Sequence, residues 1–180
     1  MKFLKTSIPG LIICEPKKNI DKRGFFTESF RKDLFEKFYG NKINFCQENL
    51  SESSYGVLRG MHFQKEPYAQ SKLVSVHKGK ILDVVVDIRK NSKFYGKHFS
   101  IELNETNNKQ LFVPKGFAHG FLCLDKENII VYNCSNYRAA KYEKILKWDD
   151  KNLKINWGIK NPILSKRDQN GQGFDEFIKK

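Results

Sequence analysis

The sequence predicts a mainly β protein, an antiparallel sandwich or barrel of jelly-roll type with a few short helices, over one domain spanning residues 1–180. Three observations predict it. Apolar and polar residues alternate with period two along many short runs, as half-buried strands require. Gly, Pro and Asn punctuate those runs as turns. Only one stretch, residues 31–39, sets apolar side chains at helical spacing, with Phe30, Leu34, Phe35 and Phe38.

Taken in order, a first strand is expected over residues 7–14, where an apolar run is closed by Glu15 and Pro16. The helix over 31–39 follows, then strands over 43–50 and 57–64. Residues 72–77 and 81–89 alternate on either side of Lys78-Gly79-Lys80, which reads as a hairpin turn. Further strands are expected over 97–103, 111–113, 116–124 and 129–137. Beyond about Lys141 the alternation fades into an irregular tail holding Trp148 and Trp157, expected to pack across the barrel. The chain shows no internal repeat, linker or low-complexity segment.

With 39% hydrophobic residues interleaved with charge, the chain can bury a real core, so disordered, collagen-like and coiled-coil classes are excluded. No apolar run approaches the roughly 18–20 residues of a membrane span, and no membrane partner is expected. The balance of 33 basic against 20 acidic residues gives a net charge of +13, which first suggests nucleic acid. Only 6 of those 33 are Arg, and the 27 Lys are scattered in nothing longer than pairs. That is a solvated surface, and no nucleic-acid partner is expected. Cys14, Cys46, Cys123 and Cys134 form no C-x-x-C pair, and three sit in strand-like runs. They read as reduced core residues of a cytoplasmic protein.

A barrel of this size can hold a small ligand, so polar residues on its strands mark the place to look. Two runs stand out: Leu58-Arg59-Gly60-Met61-His62-Phe63-Gln64 and Val113-Pro114-Lys115-Gly116-Phe117-Ala118-His119-Gly120-Phe121. A single histidine on an apolar strand is commonly a hydrogen-bonded core residue; two, with an Arg alongside, favour a site. The spacing of Pro114, Gly116 and His119 is that of half a cupin metal motif. His62-x-Gln64 stands where His-x-His would be needed, so a metal would be underligated and none is expected. His, Lys, Tyr and forked Arg side chains together suggest proton chemistry on a phosphate-bearing ligand.

The run from Gly56 to Gln64, then Ala69-Gln70-Ser71-Lys72-Leu73-Val74, Asp83-Val84-Val85-Val86-Asp87-Ile88-Arg89, the second histidine run and Trp148-Asp149-Asp150 resemble the dTDP-4-dehydrorhamnose 3,5-epimerase family. Arg23-Gly24-Phe25-Phe26-Thr27-Glu28 and Leu164-Ser165-Lys166-Arg167-Asp168 extend the resemblance towards both ends. It implies a cupin-like jelly roll and epimerisation at C3 and C5 of a nucleotide-linked 4-keto-6-deoxy sugar, with no cofactor. In the roles it implies, His62 is the base, Asp168 orients it, Lys72 faces the enolate oxygen and Tyr132 is the acid on the opposite face. Arg23, Glu28, Gln47, Asn49, Arg59, His119, Arg138, Glu143 and Arg167 match substrate-binding positions. It also implies a homodimer whose N-terminal segment reaches the neighbour's pocket, carrying Arg23 and Glu28.

One position departs from the family. Arg138 stands where a second Tyr usually stacks on thymine. A guanidinium stacks too, but it also matches the O6 and N7 of guanine, so dTDP and GDP both stay open as the nucleotide, and a hexose or a heptose as the sugar. An enzyme inverting C3 alone and a ketoisomerase on the same barrel are the alternative activities.

Overall fold

The computed structural model describes residues 1–178. The strands are β1 (Lys2–Lys5), β2 (Ile12–Glu15), β3 (Lys18–Asp21), β4 (Gly24–Thr27), β5 (Gln47–Ser54), β6 (Leu58–Gln64) and β7 (Lys72–Lys78). They continue with β8 (Lys80–Asp87), β9 (His98–Asn104), β10 (Gln110–Val113), β11 (Phe117–Cys123), β12 (Glu127–Cys134) and β13 (Glu143–Ile145). Among the described residues three α-helices accompany them, α1 (Lys32–Tyr39), α2 (Lys166–Gln169) and α3 (Phe174–Ile178), with a 3-10 turn at Ala140–Tyr142.

A six-stranded sheet in the order β1-β2-β10-β7-β12-β5 faces a five-stranded sheet in the order β13-β6-β11-β8-β9. Val74, Leu111 and Ile130 from the first sheet meet Ile81, Val85, Leu103 and Phe121 from the second in one buried interior cluster. Both outer faces are covered as well. Helix α1 lays Phe35, 0% exposed, on Ile12, Leu73 and Phe112, its ring 4.9 Å from that of Phe112. Truncating it to Ala would cost about 3–5 kcal/mol. The tail covers the other face, packing Leu146, Leu153, Trp157 and Phe174 against Leu58, Met61, Val84 and Val86. Strand β8 is therefore buried on both sides, which is why its sequence runs nearly continuously apolar.

Several sequence expectations are corrected. Residues 7–14 are not one strand. Pro9 and Gly10 break the run, and β2 pairs back on β1. The strand expected at 43–50 begins later, at Gln47, because Ile43 docks into the cluster beneath α1 instead. The strand expected at 129–137 ends at Cys134. The β3–β4 hairpin was not expected, since it exposes its apolar side chains and lacks a buried alternate face.

The largest correction concerns Lys78-Gly79-Lys80, which is a corner and not a hairpin. Strand β7 pairs with β10 and β12, whereas β8 pairs with β11 and β9 in the facing sheet. Gly79 turns there at φ +76°, where a Cβ would lie 2.2 Å from the Glu127 carbonyl oxygen. Asn128 staples the corner: its Oδ1 accepts from Lys80 N at 3.0 Å and its Nδ2 donates to Ser53 O and Asp125 O.

Candidate active site

His62 and His119 are direct neighbours across the β6–β11 pair, yet Phe121, two residues beyond His119, opposes Arg59, three residues before His62. The extra residue on β6 is a β-bulge, which breaks the period-two alternation. It brings Arg59 and His62 to the same face. Arg59 then reaches across to β5, donating to Ser53 Oγ at 3.0 Å and to the Glu52 carbonyl. The bulge depends on two glycines in contact: a Cβ on Gly60, which sits at φ +137°, would lie 2.5 Å from Gly120 Cα.

His62 meets Asp168 at 2.5 Å, Nε2 to Oδ1, across 106 residues of sequence. Asp168 is presented by α2. Ser165 caps that short helix by accepting from Asp168 N at 3.1 Å, and its hydroxyl donates to Asp168 Oδ2 at 2.9 Å. Burial pushes the Asp168 carboxyl up, but the hydrogen bonds from His62 and Ser165 and the nearby Arg167 charge outweigh it and hold it below the usual carboxylate range. The ionised carboxylate accepts a hydrogen bond from the Nε2–H of His62, the tautomer that leaves the ring's lone pair on Nδ1.

His62 opens into a cavity of about 110 Å³ that Gln47, Asn49, Gln64, Gln70, Lys72, Tyr132, Arg138 and Glu143 also line. Ligand pockets usually span roughly 300–1,000 Å³, so this chamber has room for only one end of such a ligand. Lys72 and Tyr132 come from β7 and β12, in the sheet facing His62, with the Lys72 ammonium 5.9 Å from the Tyr132 ring centre. Burial lowers the Lys72 pKa, against the opposing pull of Glu143 and Asp83. Burial raises that of Tyr132, which stays a neutral phenol at physiological pH. At the rim, Glu143 Oε2 accepts from both Arg167 at 2.9 Å and Arg138 at 3.1 Å. Burial raises the Glu143 carboxyl, and those two partners bring it below its ordinary value.

Of the residues singled out in the sequence, Gln47, Asn49, His62, Lys72, Tyr132, Arg138 and Glu143 thus share one cavity, with Asp168 behind His62 and Arg167 behind Glu143. Others stand apart. His119 is 5% exposed and its Nε2 lies 2.8 Å from Oδ2 of Asp83, itself fully buried. Arg23, at the tip of the β3–β4 hairpin, pairs with Asp21, and Glu28 with Arg31. Sequence reasoning missed Gln70, Asp83 and the contribution of Gln64. The period-two spacing of Gln64 from His62 was the available signal for the last. Among the described residues, no three His, Cys, Asp or Glu side chains converge as a metal site requires.

Facing sheets that place a His–Asp pair opposite a tyrosine and a half-buried lysine define a class, the proton-transferring isomerases built on a jelly roll. Comparison with known proteins narrows the class to one family. The model of the dTDP-4-dehydrorhamnose 3,5-epimerase family matches residues 5–176, and the chain belongs to that family. It is 48% identical to the dTDP-4-dehydrorhamnose 3,5-epimerase of Shigella flexneri, over 99% of this chain and 100% of that one. The crystal structure of the Elizabethkingia anophelis enzyme of that name superposes with a TM-score of 0.94 at 43% identity, covering 98% of this chain and 97% of that chain. The Legionella pneumophila dTDP-6-deoxy-D-glucose-3,5-epimerase, solved with dTDP-4-keto-L-rhamnose, gives 0.93 at 38% identity, over 97% and 93% of the two chains.

Proposed function

We propose that this protein epimerises a dTDP-linked 4-keto-6-deoxy sugar at C3 and C5. The observation that carries the reading is the placement of His62 and Tyr132 on facing sheets around one cavity. His62 Nδ1 removes the proton on the carbon next to the ketone, and the C–H electron pair passes into the carbonyl to form an enolate. The Lys72 ammonium stabilises the charge growing on that oxygen. The phenol of Tyr132 gives a proton to the same carbon from the opposite face, and the carbonyl re-forms. Solvent exchange then returns the proton to Tyr132 and removes the one on His62. The sequence repeats at the second carbon flanking the ketone. Asp168 holds the ring orientation and stabilises the imidazolium, as the aspartate does in a Ser-His-Asp triad.

The diphosphate and base lie over the rim, where Arg138 and Arg167 supply positive charge. The relatives named above carry dTDP in their names and none names GDP, so Arg138 serves as a stacking surface for thymine. The protein acts as a cytoplasmic homodimer. Ile20, Phe25 and Phe26 of the β3–β4 hairpin and Leu50 of β5 are 60–78% exposed, an apolar surface that a second copy would cover, delivering Arg23 and Glu28 to its neighbour. Incubation with dTDP-4-keto-6-deoxyglucose in deuterium oxide tests the activity. Inverted product labelled at C3 and C5 is expected; label at C3 alone would make it a single-centre epimerase, and a displaced carbonyl a ketoisomerase. In competition binding, dTDP is expected to outcompete GDP.

A further inference from the structure

The segment carrying Arg138 is an irregular loop after β12, yet glutamine side chains grip its backbone at four successive residues. Gln70 Nε2 donates to Asn136 O at 2.7 Å, and Gln64 Nε2 donates to Tyr137 O at 3.1 Å. Gln47 Oε1 accepts from Arg138 N at 2.9 Å, and Gln64 Oε1 accepts from Ala139 N at 2.7 Å. Gln64 thus holds the peptide units on both sides of Arg138. Its second N–H donates to Tyr68 O at 2.6 Å, and the side chain is 9% exposed, so the amide is buried with its donors and acceptor all engaged. A loop is ordinarily solvated and mobile. This one is tied to the strand that bears His62, and Glu143 fixes the Arg138 guanidinium from the far side.

We propose that Gln64 is the positioning residue for the nucleotide end of the substrate, fixing Arg138 at the cavity mouth in the place where it meets the base. The proposal rests on the reading of Arg138 as a nucleotide contact. Removing the amide leaves two part-buried carbonyls and one part-buried N–H without their partner, and the loop then gains by turning out to water. Arg138 leaves with it, while His62 keeps its own partner, Asp168. The expected signature is a loss of nucleotide affinity with the proton-transfer step preserved.

The test measures dTDP binding by calorimetry on the full chain for Gln64→Met, which keeps the length of the side chain, for Arg138→Ala and for the double variant. Each single change is expected to weaken dTDP about tenfold, with the double variant no weaker than either, as residues acting through one another behave. Gln64→Met should raise KM for the dTDP-linked sugar while kcat stays within about twofold. Should Gln64→Met fail to fold, Gln70→Met loosens the same loop by one bond and carries the same expectation at about threefold. Additive losses in the double variant, or a fall in kcat with dTDP affinity intact, would overturn the role of Gln64. Unchanged dTDP binding by Arg138→Ala alone would instead overturn the assignment of Arg138 to the nucleotide.

Discussion

On the proposed mechanism His62 and Tyr132 divide one proton transfer between two sheets, so their removal has different consequences. His62→Ala takes away the base, and kcat should fall by about 10²–10⁴-fold. Tyr132→Phe leaves a base able to remove a proton and return it from the same face. Deuterium should then enter the sugar without inversion, which NMR of the recovered substrate would show. Asp168→Asn keeps the shape but offers no charge to the imidazolium, and kcat should drop about 10²-fold or more. The same substitution also bears on acid stability. The folded Asp168 carboxyl titrates below its unfolded value, so its contribution is present above about pH 3.9 and is lost as pH falls through the lower folded value. Denaturation curves of Asp168→Asn should therefore lose part of their slope below pH 4. Of these residues, the sequence pattern singles out His62 through its setting on an apolar strand. The roles proposed for Lys72, Tyr132 and Asp168 are legible only through family resemblance, because each comes from an element whose spatial neighbour no local spacing encodes.

The elements show why. Period-two alternation reports which face of a strand is buried, and strands such as β9 and β11 fall within about one residue of expectation. It does not report the hydrogen-bonded neighbour. Hence the corner at Gly79 reads as a hairpin although β7 and β8 belong to different sheets. The bulge in β6 is hidden for a related reason: it depends on Gly60 meeting Gly120, which are far apart in sequence. Gly60→Ala would drive a methyl to 2.5 Å from backbone and impose a strained φ, costing about 2 kcal/mol or more by chemical denaturation. Activity should fall further than stability alone explains, because the displaced strand carries His62. Helix α2 was invisible for its brevity, and Ser165→Ala, which removes its cap and the second hydrogen bond to Asp168, should cost about 0.5–2 kcal/mol.

At the scale of the whole molecule, protonating all 20 carboxylates would raise the formal charge from +13 to +33. Self-repulsion then adds to the proton uptake forced on Asp87, Glu143 and Asp168, all held below their ordinary values by their partners, so stability should fall steeply below about pH 4 and recover partly with added salt. The assembly has a mixing test. If Arg23 serves the neighbouring pocket, inactive His62→Ala and weakened Arg23→Ala chains should complement when co-refolded, since one mixed dimer site keeps both residues. Recovery of no activity would place Arg23 in its own chain's site or outside any. The tail that closes the outer face of the five-stranded sheet also delivers Asp168 to His62. The strands through β13 bring His62, Lys72 and Tyr132 around one cavity, and on the proposed mechanism turnover also needs the tail in place, because only the tail supplies the carboxylate that orients His62. Activity can therefore report whether the tail is docked, with nicking after β13 expected to lower turnover at least as far as Asp168→Asn does.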